Sequence, residues 1–296
     1  MQSILIKLAR LALAAALAGA GAAPAGAAPN ATVEAVQMPA WVERNGERIP
    51  IAPGMALRDR DDLKTGANSR LLLRTADGSL VKLGENGWLR LDNMRQSRGL
   101  FAAAMNVAEG AFRFTTQQIA RNRNMRRDIN VTIATVTAGI RGTDVWGKAA
   151  GDRDIVCLIE GRIEVQRGQD QPIAMDQPLS FYIAPRVGPP LPVAPVDPAQ
   201  LRQWATETEI AAGRGAARVG GKWKVVLASA DSQAGALKLY DDFRAAGYAA
   251  SIQPAEADNK KIYNIRLTNL PSRAEAQALA DALKGKLGAS APRVTM

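Results

Sequence analysis

Histidine is absent from the 296 residues, and cysteine occurs once, at Cys157. Without imidazole the chain can build no histidine-based triad, no histidine-held metal site and no histidine pH switch. A single thiol forms no intramolecular disulfide and has no partner for thiol-protease or zinc chemistry. Within Ile155-Val156-Cys157-Leu158-Ile159 it reads as a small buried strand residue. No metal and no cofactor are therefore expected. Acids concentrate at one place, Asp59, Asp61 and Asp62, which raises the question of paired carboxylates for glycan cleavage. They fall in a turn segment between Gly54 and Gly66, with no nucleophile and base beside them, so no catalytic residue is assigned and the chain is read as a non-enzyme.

What is present is ordinary globular composition, 47% hydrophobic and 22% charged, which excludes wholesale disorder. Lys7 and Arg10 precede an uncharged run over residues 11–33 made chiefly of Ala, Leu and Gly, with small residues at Ala25-Gly26-Ala27. This reads as a secretory signal peptide over residues 1–28, cleaved to leave a soluble periplasmic protein. Pro24 and Pro29 make the second half of the run a poor membrane span, so no transmembrane anchor is expected in the mature form. The net charge of +10 is densest at the end of the chain, where residues 222–296 hold eleven Lys and Arg against seven Asp and Glu. Such a surplus favours anionic partners. Export points to an envelope component rather than nucleic acid.

Patterning divides the rest into three parts. Residues 29–185 alternate short apolar stretches with turn signals: Asn45-Gly46, Asp77-Gly78 and Asn86-Gly87 are hairpin signatures, spaced as in an all-β sandwich or roll. Glu109-Gly110-Ala111-Phe112-Arg113-Phe114 is echoed by Glu160-Gly161-Arg162-Ile163-Glu164-Val165, each a turn entering a half-buried strand. Residues 186–221 form a linker: a proline-rich extended piece, a short helix capped by Asp197 with Leu201, Trp204, Thr208 and Ala211 on one stripe, and a Gly/Ala/Arg stretch from Gly213 expected to act as a flexible tether. The helix is expected to close off the β domain, and the two units flanking the linker to fold independently.

In residues 222–296 the periods switch in the order β-α-β-β-α-β, with Ser232 and Ser272 as helix caps and Ser272 and Glu275 spaced as a capping box. That order makes an α+β layer with both helices on one face. The segment resembles the SPOR domain, a peptidoglycan-binding module of bacterial envelope and cell-division proteins. The resemblance is carried by Trp223-Lys224-Val225-Val226-Leu227-Ala228-Ser229-Ala230, by Tyr263-Asn264-Ile265-Arg266-Leu267-Thr268-Asn269-Leu270 and by Arg273-Ala274-Glu275-Ala276. The departures are Val226 for the family's Gln, Ala228 and Thr268 for Gly, and Ala230 for Phe. Residues 31–185 resemble the periplasmic FecR domain, through Leu63-Lys64-Thr65-Gly66-Ala67-Asn68-Ser69, Asp77-Gly78-Ser79, Gly110-Ala111-Phe112, Ile140-Arg141-Gly142-Thr143 and Glu160-Gly161. In that family's iron-transport regulators the domain follows a sigma-factor-binding region and a membrane helix. Neither is found here, so sigma-factor signalling is not carried over. Arg141-Gly142-Thr143 is expected to be a structural turn.

The expectation is thus a multidomain protein, an all-β FecR-like domain followed by an α+β SPOR-like domain. It implies a non-enzymatic periplasmic protein whose C-terminal domain docks on peptidoglycan glycan strands and whose β domain meets an envelope protein or another ligand. The alternative makes the β domain the main functional unit, a sensor or regulator, with the Arg121, Arg123, Arg126 and Arg127 cluster available to an anionic polymer. Strand parity places Lys224, Val226 and Ala228 of the first C-terminal strand, and Asn264, Arg266 and Thr268 of the third, on the sheet face not covered by helices. Ser251, Gln253, Arg293 and Thr295 join them. The glycan-binding residues assigned are Lys224, Val226, Ser251, Gln253, Asn264, Arg266, Thr268 and Arg293, a polar and basic set without acids. RNA-binding domains share this topology but need rings on the central strands to stack bases. None of the outward positions is aromatic.

Overall fold

The computed structural model describes residues 29–97, 99–116, 126–140, 142–257 and 259–296. The expected signal peptide, Arg121, Arg123 and Arg141 lie outside the described residues. The first part of the chain is built, in order, from β1 (Ala31–Gln37), β2 (Ala40–Arg44), β3 (Glu47–Pro50), β4 (Ala56–Leu57), β5 (Asp62–Thr65), β6 (Arg70–Thr75), β7 (Leu80–Leu83), β8 (Trp88–Ser97), β9 (Leu100–Thr115), β10 (Arg126–Ile133), β11 (Val136–Ile140), β12 (Asp144–Ala149), β13 (Arg153–Glu160), β14 (Ile163–Arg167), β15 (Ile173–Met175), β16 (Ser180–Pro185), β17 (Ala194–Pro195), helix α1 (Pro198–Thr208) and β18 (Ala217–Arg218).

These strands form two sheets that share β9. In the first sheet β1 has β4 and β18 on one side and β6 on the other, and the order continues through β7, β9, β12, β13, β16 and β17. The second runs β3, β2, β5, β8, β9, β10, β11, β14, β15. The early part of β9 pairs with β8 and β10, and its end, from Gly110 on, pairs with β7 and β12. The chain turns between the sheets at Gly110, whose φ is +84° and whose absent Cβ would lie 2.7 Å from Gly87 Cα. A side chain there meets both strain and backbone, which explains the glycine. Alternate residues of both sheets, among them Leu63, Leu73, Phe101, Phe112, Phe114 and Tyr182, fill one core. Asn45 and Gly46 both have positive φ, as the two-residue hairpin turn requires.

Helix α1 starts where Asp197 accepts the N–H groups of Ala199 (2.8 Å) and Gln200 (3.2 Å). It lies on the outer face of the first sheet. Trp204 stacks on buried Trp146 with ring centroids 4.8 Å apart and Phe181 meets Trp204 edge-on, a small core separate from the one between the sheets. The end of the helix is tied down by Lys148–Glu207 (2.7 Å), Arg113–Glu209 (3.2 Å) and Lys82–Glu209.

The second part contains β19 (Trp223–Ala230), α2 (Gln233–Ala245), β20 (Ser251–Ala257), β21 (Lys260–Leu270), α3 (Arg273–Leu283) and β22 (Arg293–Thr295). Its antiparallel sheet has the order β20, β21, β19, β22. Ala236 and Phe243 of α2 and Ala276, Leu279, Ala280 and Leu283 of α3 are buried with Val225, Leu227, Ile265 and Leu267 of the sheet. Ser232 and Ser272 cap the helices by accepting the N–H of Gly235 and Glu275.

The stretch from Gly213 to Gly221 is not a free tether. β18 pairs with β1, Ala216 and Ala217 are buried, and Val219 N donates to Glu34 O at 3.0 Å. Glycine and alanine serve close packing here rather than flexibility. A Cβ on Gly215 would lie 2.9 Å from Leu279 Cβ, and one on Gly221 would lie 2.2 Å from Asn269 O. A further contact joins the domains directly: Ala40 N donates to Gly247 O at 3.1 Å, and Gly247, with φ +88°, leaves room for the Trp41 ring.

Candidate functional site

The face of the C-terminal sheet opposite α2 and α3 is assembled by register. Ser251 pairs with Arg266, Arg266 with Val226 and Val226 with Arg293, so these four form one rung across all four strands. Gln253 and Asn264 form the next, and Lys224 pairs with Thr295 on the other side of the first rung. Thr268 sits where the β19–β21 register shifts opposite Lys224, and Asn269 beside it has φ +66°. All eight residues assigned from the sequence thus lie on one face.

One outward position is corrected. The register shifts between Val226 and Ala228, so Leu227 is an extra residue in β19 and the alternation restarts after it. Ala228 pairs with buried Ile265 and turns to the helix side, whereas Ser229 pairs with Asn264 on the open face. Ser229 Oγ lies 2.6 Å from Asn264 Oδ1 and donates to it. Sequence parity missed Ser229 because no glycine, proline or turn residue marks the bulge.

Arg266 is the central side chain of the rung. It is half-buried, and its Nε is shielded from solvent with no hydrogen-bond partner among the described residues. Lys224, Arg266 and Arg293 make no salt bridge with the described residues. From residue 222 on, Lys238–Asp242 is the one ion pair among the described residues, whereas the β sheets pair most of their arginines. The face therefore offers guanidinium, ammonium, amide and hydroxyl groups with positive charge that no salt bridge among the described residues neutralises. Val226, 9% exposed, lies between Arg266 and Arg293 and supplies an apolar floor.

The acid cluster near residue 60 has a different use. Asp61 is buried and takes two hydrogen bonds from Arg44 (2.7 and 2.6 Å) and one from Arg58 N (2.8 Å). Asp59 accepts Met94 N, and Asp62 accepts Trp88 Nε1. Each carboxylate fastens a turn or a neighbouring strand. Among the described residues no three His, Cys, Asp or Glu side chains are grouped to hold a metal ion. In the Arg141-Gly142-Thr143 segment Gly142 has φ +80°, and a Cβ on Gly161 would lie 2.7 Å from Thr143 Cγ2. The Gly142 and Gly161 signals are turn and packing glycines.

Residues 219–293 match the SPOR domain family, and residues 61–164 match the FecR protein family. The chain joins a FecR segment to a SPOR domain. SPOR domains bind peptidoglycan, which makes this a protein of the periplasm or cell envelope. Both families are binding or regulatory domains, and no enzyme family is indicated. Among the described residues no helix is long and apolar enough to cross a membrane. Two solved structures of a candidate anti-sigma factor from Parabacteroides distasonis ATCC 8503 are similar at low identity. One is 16% identical over 49% of this chain and 64% of its own, with a TM-score of 0.40. The other is 12% identical over 71% of this chain and 99% of its own, with a TM-score of 0.39. No curated protein matches the sequence.

Proposed function

We propose that the protein is a non-enzymatic periplasmic wall binder that docks on peptidoglycan glycan strands through the open face of its SPOR sheet, while the FecR domain meets a second envelope partner. The observation that carries this reading is Arg266, whose shielded Nε has no partner among the described residues and which stands at the centre of an acid-free rung. A glycan strand stripped of stem peptides presents hydroxyls, acetamido groups and one lactyl carboxylate per repeat. The carboxylate can take a bidentate contact from Arg266, and Asn264, Ser251, Gln253 and Ser229 suit the neutral groups. The sheet is about 20 Å along a six-residue strand, enough for more than one sugar repeat.

Removing the contact should cost about 1.5–3 kcal/mol, or about 10- to 100-fold in affinity. The test is co-sedimentation of the full chain with purified sacculi before and after amidase treatment. Amidase should raise the bound fraction, and Arg266→Ala should lower it. A chain that stays in the supernatant in both cases has kept the fold without the activity.

A further inference from the structure

Behind the outer face of the second sheet, β10, β11 and β14 turn their isoleucines and valines inward, whereas Ile173 of the edge strand β15 is exposed. Ile129, Val131, Val136, Ile140, Ile163 and Val165 are all buried. What faces outward is small or polar. Asn130 pairs with Gly139, Gly139 with Glu164 and Glu164 with Ala174, a rung whose two positions without a long side chain flank Glu164. The next rung is Thr132, Thr137 and Gln166, with the two threonine hydroxyls 3.2 Å apart. The result is a trough enclosing a cavity of about 370 Å³, walled by Asp128, Asn130, Arg162 and Glu164 and floored by Gly139 and Ala174.

Gly139 is not required by the fold. Its φ is outside the left-handed region, and a Cβ would meet only Asn130 Oδ1, at 3.7 Å. What the glycine does is leave the floor open. The four wall side chains make no hydrogen bond or ion pair with the described residues, in a domain where Arg44, Arg113, Arg127 and Arg186 are each held by an aspartate.

We propose that this trough is a binding site for a neutral oligosaccharide, separate from the open face of the SPOR sheet. Planar carboxylate, amide and guanidinium groups each present two polar atoms at a spacing that suits adjacent sugar hydroxyls. Arg127 at the rim is already held by Asp77, which leaves two free acids, Asp128 and Glu164, beside one free arginine, Arg162, so the walls offer no positive surplus and an anionic ligand is disfavoured. A peptide added as a strand is disfavoured, because the backbone groups beneath the trough are already used in the β10–β11–β14 ladder and only side chains are offered. The volume lies within the range of small-molecule sites, about 300–1,000 Å³.

The experiment is an NMR titration of the full chain, read residue by residue, with three neutral tetrasaccharides: β-1,4-linked N-acetylglucosamine, β-1,4-linked glucose and α-1,4-linked glucose. At least one should shift the amides of Asn130, Gly139 and Glu164, and trialanine should not. Gly139→Leu, which the backbone accommodates, should weaken that binding at least tenfold with no change in thermal midpoint, and Glu164→Ala should weaken it as well. Shifts confined to the C-terminal sheet, a response to trialanine alone, or no response to any of the three sugars would overturn the proposal.

Discussion

The carboxylate of Glu275, in the first turn of α3, accepts the backbone N–H of Gly215 at 2.6 Å. It also takes Gly213 N at 2.6 Å and Ala216 N at 3.1 Å, and the residue is only 9% exposed. Only half of the expected capping box exists: Ser272 caps Glu275 N, while the Glu275 side chain leaves its own helix to hold the strap that leads from one domain to the other. With β18 paired to β1 and Gly247 seated on Trp41, the two domains are in direct contact.

Glu275→Ala should free the strap without unfolding either domain. Charge-assisted bonds to three amides are lost, at about 1.5–3 kcal/mol for such a contact. Trypsin cleavage after Arg218 and Lys222 should become at least tenfold faster than in the wild type. Equal rates in the two proteins would show that the carboxylate is not the latch.

Asp77 gives the β domain an acid-sensitive staple. Burial alone pushes its carboxyl up, but hydrogen bonds from Thr75, Arg127 and Ser79 outweigh that and hold it below the ordinary 3.8. A depressed folded value means that the staple stabilises fully above the unfolded value and is lost as pH falls through the folded one. Urea midpoints should therefore drop below about pH 4. Asp77→Asn should be less stable at pH 7, and its midpoint should fall less on acidification.

Burial pushes the Cys157 thiol up to about 12, with Asp144 adding to the shift. At pH 8 the native protein should resist iodoacetamide for hours, and labelling should appear only on unfolding. Fast modification of the folded chain would contradict the placement of Cys157 under α1.

Trp204→Ala should cost about 3–5 kcal/mol, since it removes the ring that covers Trp146 and leaves a cavity against the first sheet. The measurement is chemical denaturation followed by tryptophan fluorescence. A loss below about 1 kcal/mol would mean that α1 is a detachable helix and not part of the domain's second core.

The parts of the fold that were legible in the sequence are those set by local chemistry. The 3.6-residue period with Ser232 and Ser272 as caps marked α2 and α3, Asp197 and Pro198 marked α1, and Asn45-Gly46 marked a hairpin. The parts that were not legible depend on partners distant in sequence. β9 is sixteen residues long and serves two sheets, while its sequence shows clear alternation mainly after Gly110. The glycines from 213 on look like tether composition, because nothing local says that Leu279 and Asn269 will press against them. On the candidate face, parity alone gathered Lys224, Asn264, Arg266 and Arg293, but the extra residue at Leu227 exchanged Ala228 for Ser229.

The central claim is tested most directly by the affinity of the full chain for purified glycan strands stripped of stem peptides, measured by calorimetry for the wild type and for Arg266→Ala. Binding to the wild type should be weakened about 10- to 100-fold by the substitution, with both proteins showing the same thermal midpoint. Equal affinities for the two proteins, or no heat of binding to stripped strands at all, would contradict the account.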